Sequence, residues 1–302
     1  SYLMLENSPA IPPQADHFLH VMRGNRSKLW RTIAGGVGIF LIWQISIVIL
    51  ALFFEPLRNM LLIKGGEFSA AEEAMGSFAL MVGGFGPAFL ALMAWRKYVE
   101  REPIKTLFTG ASKFRWPLAI GAAFAVVVLS YVTSAAFDQE SMGPFEARVA
   151  QFSTNDWLLL AGVYLLGTFV QSTFEEVYIR GWLLQHVQRF IAHGLVAVLV
   201  TAVIFSILHI GHPGWATYVV TFVMGLLFGY SAWRLNGLEA AIGGHVANNF
   251  MSALLLGTMV GGNPADMDLM QGFAYSLYLL GFLGFVEAWA RFGPSPVRQG
   301  AA

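Results

Sequence analysis

Eight stretches of this chain are each about 20 mostly apolar residues long, and that pattern decides most of what the chain can become. A helix needs roughly 20 such residues to cross the ~30 Å hydrocarbon core of a bilayer. The stretches cover residues 33–54, 75–95, 117–136, 157–176, 195–212, 215–234, 238–257 and 271–290. The chain is 56% hydrophobic and 12% charged, which leaves too little polar surface to cover a water-soluble globule of this size. The expected fold is an all-α membrane protein, an eight-transmembrane-helix bundle with N- and C-termini cytoplasmic. Residues 1–30 read as a cytosolic tail, because Pro9, Pro12, Pro13, Arg23, Arg26 and Lys28 precede the first apolar stretch with no signal-peptide h-region. Residues 31–292 read as one bundle and residues 293–302 as a second tail.

Charge placement sets the expected orientation. Of the 18 basic residues, Arg58, Lys64 and Arg148 fall on the outer loops of that topology and the others on the inner segments, the positive-inside pattern. Acidic and basic residues balance at 18 each, so nothing points to nucleic acid. The chain has no cysteine, which removes disulfides, thiolate metal sites and a cysteine nucleophile. Gly225 and Gly229 have the GxxxG spacing that lets two helix backbones approach, a packing feature.

Ionisable side chains inside a span are costly and usually mark function. The fourth stretch ends in Glu175, Glu176 and Arg180, where Glu176 and Arg180 share a helical face and Glu175 is rotated about 100° from them. The fifth ends in Phe205 and His209, followed by His212 and Pro213, and the seventh holds His245 and Asn249 one turn apart. Glu176 with Arg180 reads first as a structural ion pair, His212 and Glu239 as interfacial residues, and Glu287 with Arg291 as a snorkelling pair. Gln44 and Gln171 read as single amides bonding across helices. Glu175, His209, His245 and Asn249 come from three helices and each needs a polar partner away from water, which favours a shared site over packing.

A desolvated carboxylate beside histidine can hold and deprotonate a water, and a histidine with an asparagine amide can supply donors to a developing oxyanion. Those are parts of an amide hydrolase working through activated water. Glu175, His209 and His245 could instead bind a divalent metal such as zinc, with an open position for water. No HExxH helix and no GxSxG elbow is present. A proton carrier would also use intramembrane carboxylates, although no inverted repeat is visible.

In that order, Glu-Glu-x-x-x-Arg at Glu175, Glu176 and Arg180, Phe-x-x-x-His at Phe205 and His209, and His-x-x-x-Asn at His245 and Asn249 resemble the CPBP intramembrane proteases. That group includes type II CAAX prenyl endopeptidases and abortive-infection-like proteins. The resemblance covers a protease-like core of about residues 155–260; Gly181 agrees with the family's habit and Ile179 departs from its phenylalanine. It implies an intramembrane endopeptidase in which Glu175 and His209 activate water, Glu176 and Arg180 support that carboxylate, and His245 with Asn249 stabilise the oxyanion. Members are often labelled metalloproteases, and the resemblance leaves the metal open. The implied setting is the bacterial inner membrane, with the lipid bilayer and a peptide or protein substrate as partners. The alternative is a non-proteolytic scaffold or assembly factor within a membrane protein complex.

Overall fold

A computed structural model describes residues 18–22, 25, 29–62, 68–137, 142–209, 214–257 and 269–294. Among them the chain is helical, and the only β-like feature is an isolated bridge between Thr109 and Gly237. In chain order the helices are α1 (Leu29–Phe53), α2 (Glu55–Leu62), α3 (Ala70–Val99), α4 (Trp116–Phe137), α5 (Met142–Gln151), α6 (Thr154–Val187), α7 (Gly194–Ile207), α8 (Trp215–Leu235), α9 (Glu239–Leu256) and α10 (Leu269–Phe292). Capping boxes start two of them: Ser69 exchanges hydrogen bonds with Glu72 at the head of α3, and Ser153 with Asp156 at the head of α6.

Six helices, α1, α3, α4, α6, α8 and α10, are long and apolar enough to cross a membrane. This is a multi-pass integral membrane protein, and by length and composition it has six such helices among the described residues where the sequence led us to expect eight. The fifth expected crossing forms α7, only 14 residues long; at 1.5 Å per residue it reaches ~21 Å, short of the ~30 Å core. It ends because the chain leaves the helix at Leu208 and His209. The seventh forms α9, 18 residues long, in which Glu239, His245, Asn248 and Asn249 dilute the apolar run. It stops at Gly257, whose φ of 62° is left-handed and suits glycine. The two elements that fall short are the ones that deliver both histidines of the expected site.

The outward surface is apolar. Ile33, Val37, Leu41, Ile45 and Val48 of α1 are all exposed, as lipid-facing residues should be. The interior is organised around α6. One face carries an aromatic ladder at helical spacing, with Phe174 stacked on Tyr178 (5.6 Å between ring centroids), Tyr178 on Trp182 (5.8 Å) and Trp182 tilted against His186 (4.7 Å). Tyr178 donates to the carbonyl of Gly36 in α1 (2.8 Å). The other face carries Glu176 and Arg180. A second core joins α4, α8, α9 and α10 through Leu118, Ala122, Phe228, Ala241, Phe282 and Val286.

Glycines set the closest approaches. Gly225 and Gly229 of α8 pack on Ala202 and Val198 of α7, so the GxxxG spacing does bring two helix backbones together. Gly243 of α9 lies against the backbone of Ala119 in α4, and a Cβ there would fall on the Ala119 carbonyl oxygen. Backbone cannot move aside as a side-chain tip can. Gly243→Ala is therefore expected to destabilise the protein by about 1–3 kcal/mol. Thermal unfolding in detergent checks this, with Gly272→Ala, where a Cβ meets nothing, as the control that should leave the midpoint in place.

Buried ion pairs tie helix ends together. Arg115, just before α4, reaches Glu239 at the head of α9 (2.7 Å), and Glu239 is fully buried where the sequence reading made it interfacial. Arg148 of α5 was counted among outer-loop charges; it is buried, pairs with Glu73 of α3, and donates to the Leu254 carbonyl of α9 (2.8 Å). Tyr164 of α6 donates to the same Glu73 (2.5 Å). Glu287 pairs loosely with Arg291 (3.7 Å), but Arg234 (3.0 Å) and Tyr230 (2.5 Å) of α8 hold it more closely, making a clamp between helices rather than a snorkelling pair.

Candidate active site

Glu175 and Glu176 stand where α6 passes from ordinary α-helix into the wide, π-helical turns of Val177–Leu183. Wide turns of this kind are rare and recur at functional sites. The two carboxylates diverge, as consecutive helical positions must. Glu176 and Arg180 are both fully buried, with Arg180 Nη1 donating to Glu176 Oε1 (3.0 Å). The expectation of an ion pair there holds. The same Glu176 oxygen also accepts from Nδ1 of His245 in α9 (2.8 Å), so Glu176 joins two helices rather than staying within one.

His245 is the hub. Its Nε2 faces Glu175 Oε2 at 3.6 Å, too long for a direct hydrogen bond and close enough for one water to touch both. Phe228 of α8 stacks on the imidazole (5.3 Å between centroids) and Phe205 of α7 presents an edge to it (6.2 Å). With Phe228 stacked on the ring and Nδ1 tied to Glu176, the imidazole is held by its plane and by one nitrogen. Glu175 is the less buried of the two carboxylates, and Gln171 of its own helix donates to it (3.3 Å); Gln171 therefore bonds along α6 and not across helices.

His209 joins through Phe205. Its Nδ1 donates to the Phe205 carbonyl (2.8 Å), so Nε2 is the ring nitrogen directed away from its own backbone. The Phe205 ring packs against the His209 ring (4.8 Å), and the Arg180 guanidinium lies over its face at 4.3 Å. One phenylalanine thus touches Arg180, His209 and His245. Counting depth along an ideal straight helix puts His209 deeper than His245; the Phe205 contacts place the end of α7 level with the middle of α9.

Asn249 lies one turn past His245. Its Nδ2 donates to Ser172 Oγ on α6 (3.2 Å), and its Oδ1 accepts from Asn248 (3.1 Å), which in turn accepts from Tyr278 of α10 (3.4 Å). Glu175, Glu176, Arg180, His245 and Asn249 are therefore linked across α6 and α9, and α7 delivers His209 beside them. His212 lies outside the described residues. Ser172, Phe228 and Tyr278 were missed from the sequence, since a serine and two aromatics in apolar helices carry no signal of their own.

Among the described residues no three His, Asp or Glu side chains are grouped so as to hold an ion. The metalloprotease label therefore gains no support.

The fold and these contacts define a multi-pass helical membrane protein with a buried carboxylate, imidazole and amide cluster. Residues 156–251 match the family model described as type II CAAX prenyl endopeptidase Rce1-like. All the motif residues lie inside that segment, so the resemblance expected from the three motifs is borne out over it. The chain is also 24% identical over 188 residues to "Uncharacterized protein YyaK" of Bacillus subtilis (strain 168); the alignment takes in 58% of this chain and 61% of that protein. The match therefore spans less than two thirds of this curated relative. No solved structure matches the chain.

Proposed function

We propose that the protein is an intramembrane endopeptidase that hydrolyses a peptide bond near the cytosolic face through a water activated by Glu175 and His209. The observation that carries this reading is the contact set of His245, held by Glu176 at Nδ1 and facing Glu175 at 3.6 Å from Nε2. A water held by Glu175 and His209 can give its proton to Glu175 while its oxygen attacks the scissile carbonyl carbon. The carbonyl oxygen becomes an oxyanion, to which Asn249 Nδ2 and a protonated His245 Nε2 can donate. Collapse of the tetrahedral species breaks the C–N bond, and the proton held by Glu175 passes to the leaving amine. Arg180 keeps Glu176 charged-paired and in place.

The test is comparative peptide-terminus analysis of membranes carrying wild-type protein or Glu175→Gln. Termini that appear only with wild type support hydrolysis; identical sets would remove the proposal. The same reading lets α7 and α9 complete eight crossings with both chain ends cytosolic. Because the chain has no cysteine, single cysteines placed at each end can be labelled from one side at a time. Labelling of both ends only from the cytosolic side is expected, and reaction of either end from outside would refute that topology.

A further inference from the structure

Behind the motif lies a second buried polar cluster that the proposed reaction does not use. The last turns of α3, Trp95–Val99, are π-helical like Val177–Leu183 of α6, and side chains cross-link the two wide turns. Arg96 is fully buried. Its Nη2 donates to the carbonyl of Gly181 (3.1 Å) and to Gln185 Oε1 (2.8 Å), and its Nε lies 3.2 Å from Glu100 Oε2. Glu100 Oε1 accepts from Trp182 Nε1 (2.7 Å) and lies 2.8 Å from His186 Nε2. The other His186 nitrogen meets Thr32 of α1 (3.2 Å). Gln185 donates onward to the Thr106 carbonyl (2.8 Å). On the open side, Met22 sets its sulfur against Arg96 (2.9 Å), next to the buried Phe18 and Leu19.

Burying a guanidinium is a poor way to gain stability, because desolvation offsets most of the Coulombic gain. A fixed arrangement is what such a cluster supplies well. Every long contact it makes on α6 falls on Gly181, Trp182, Gln185 or His186, within or just beyond the wide turn that carries Arg180. A π-turn changes the angular phase of the residues that follow it, so its register decides whether Arg180 lies under Glu176 or beside it. The loop at Leu107 closes the same turn from the other side: a Cβ at Gly181 would fall on the Leu107 carbonyl oxygen. For the Glu100 carboxyl, outside the spanning segment, burial pushes the proton affinity up. The bonds from His186 and Trp182 and the charge of Arg96 outweigh that and hold its pKa below the ordinary glutamate value.

We propose that Arg96 and Glu100 are positioning residues for the active site, a clamp that fixes the wide turn Val177–Leu183 and through Arg180 and Glu176 sets the orientation of His245. The proposal rests on the hydrolase reading for its effect on turnover, and on geometry alone for its effect on α6. Neither residue touches the reacting atoms. Met22 closes the clamp, which makes the segment Phe18–Met22 part of the working core rather than a loose tail.

The test uses the full chain in proteoliposomes, with peptide cleavage and backbone hydrogen exchange measured on the same preparations. Arg96→Gln is expected to lower kcat by about ten-fold to a hundred-fold, the range for a small misplacement of catalytic groups, with KM within about two-fold of wild type. Exchange should rise at residues 177–187 and stay unchanged in α4 and α10. Arg96→Lys should recover only part of kcat, since one ammonium cannot reproduce the planar guanidinium that donates to Gly181 and Gln185 while its Nε faces Glu100. Where Arg96 variants fail to fold, Glu100→Gln keeps the volume and should give the same split. Unchanged kcat, or exchange rising equally in every helix, would overturn the clamp. Should the wild type cleave nothing, the hydrolase reading fails, while the local exchange pattern still decides whether Arg96 holds the turn.

Discussion

Glu175→Gln is expected to lower turnover by about two to four orders of magnitude while leaving the protein folded. Glutamine keeps the volume and can still accept from Gln171, but it cannot take a proton from water. General base catalysis contributes about 10²–10⁴-fold in rate, and among the described residues the neighbouring carboxylate, Glu176, is fully buried and occupied by Arg180 and His245. Stability should hardly change, because the polar contacts of Glu175 are long, 3.3 Å to Gln171 and 3.6 Å to His245. Cleavage assays in proteoliposomes, paired with thermal unfolding in detergent, separate the two effects. A variant that cleaves at the wild-type rate would end the hydrolase reading and favour a scaffold built on the same bundle.

Arg180→Leu should act mainly on folding. It leaves the Glu176 carboxylate fully buried without its counter-charge, and breaking a buried pair by removing one partner costs about 3–5 kcal/mol. It also strips the guanidinium from the face of Phe205, where a cation in a desolvated setting is worth about 2 kcal/mol or more. A marked loss in unfolding midpoint is the expected result. The double variant Glu176→Leu with Arg180→Met removes both charges and should regain much of that stability. It should nonetheless remain inactive, since His245 Nδ1 then has no acceptor to orient it. An Arg180→Leu protein as stable as wild type would show that the pair is not an anchor. An active double variant would show that Glu176 does not set His245.

The contrast between these two neighbours was only partly readable in the sequence. The run Glu175, Glu176, Arg180 gave the divergence of the carboxylates and the Glu176–Arg180 pair, because both follow from helical periodicity. What Glu176 does for His245 did not follow, since it depends on how α9 docks on α6. The six long spans were legible because twenty apolar residues in lipid have few alternatives. The difference at α7 and α9 has a physical source: hydropathy registers an apolar run, but it does not register where the helix stops, as at the Leu208 turn after α7, or how far Glu239, His245, Asn248 and Asn249 dilute α9. Charges were read by loop rather than by partner. Hence Arg96 and Arg148, counted as inner and outer loop charges, are in fact buried among Gly181, Gln185 and Glu100 and against Glu73 respectively. The contacts of Phe205 and Phe228 with His245 were invisible for a related reason, as phenylalanine in an apolar helix looks the same whether it meets lipid, a neighbour or an imidazole.

The shortness of α7 also acts on the bilayer itself. Leu195, Val196, Leu199, Val203 and Ile207 of this helix face outward, so acyl chains must pack against a hydrophobic wall only ~21 Å tall. Lipids adjust to such a mismatch by thinning locally and drawing headgroups and water inward. On the proposed hydrolase reading, the flank of the protein nearest His209 is where a membrane-embedded peptide would have the least oil to traverse and would meet water soonest.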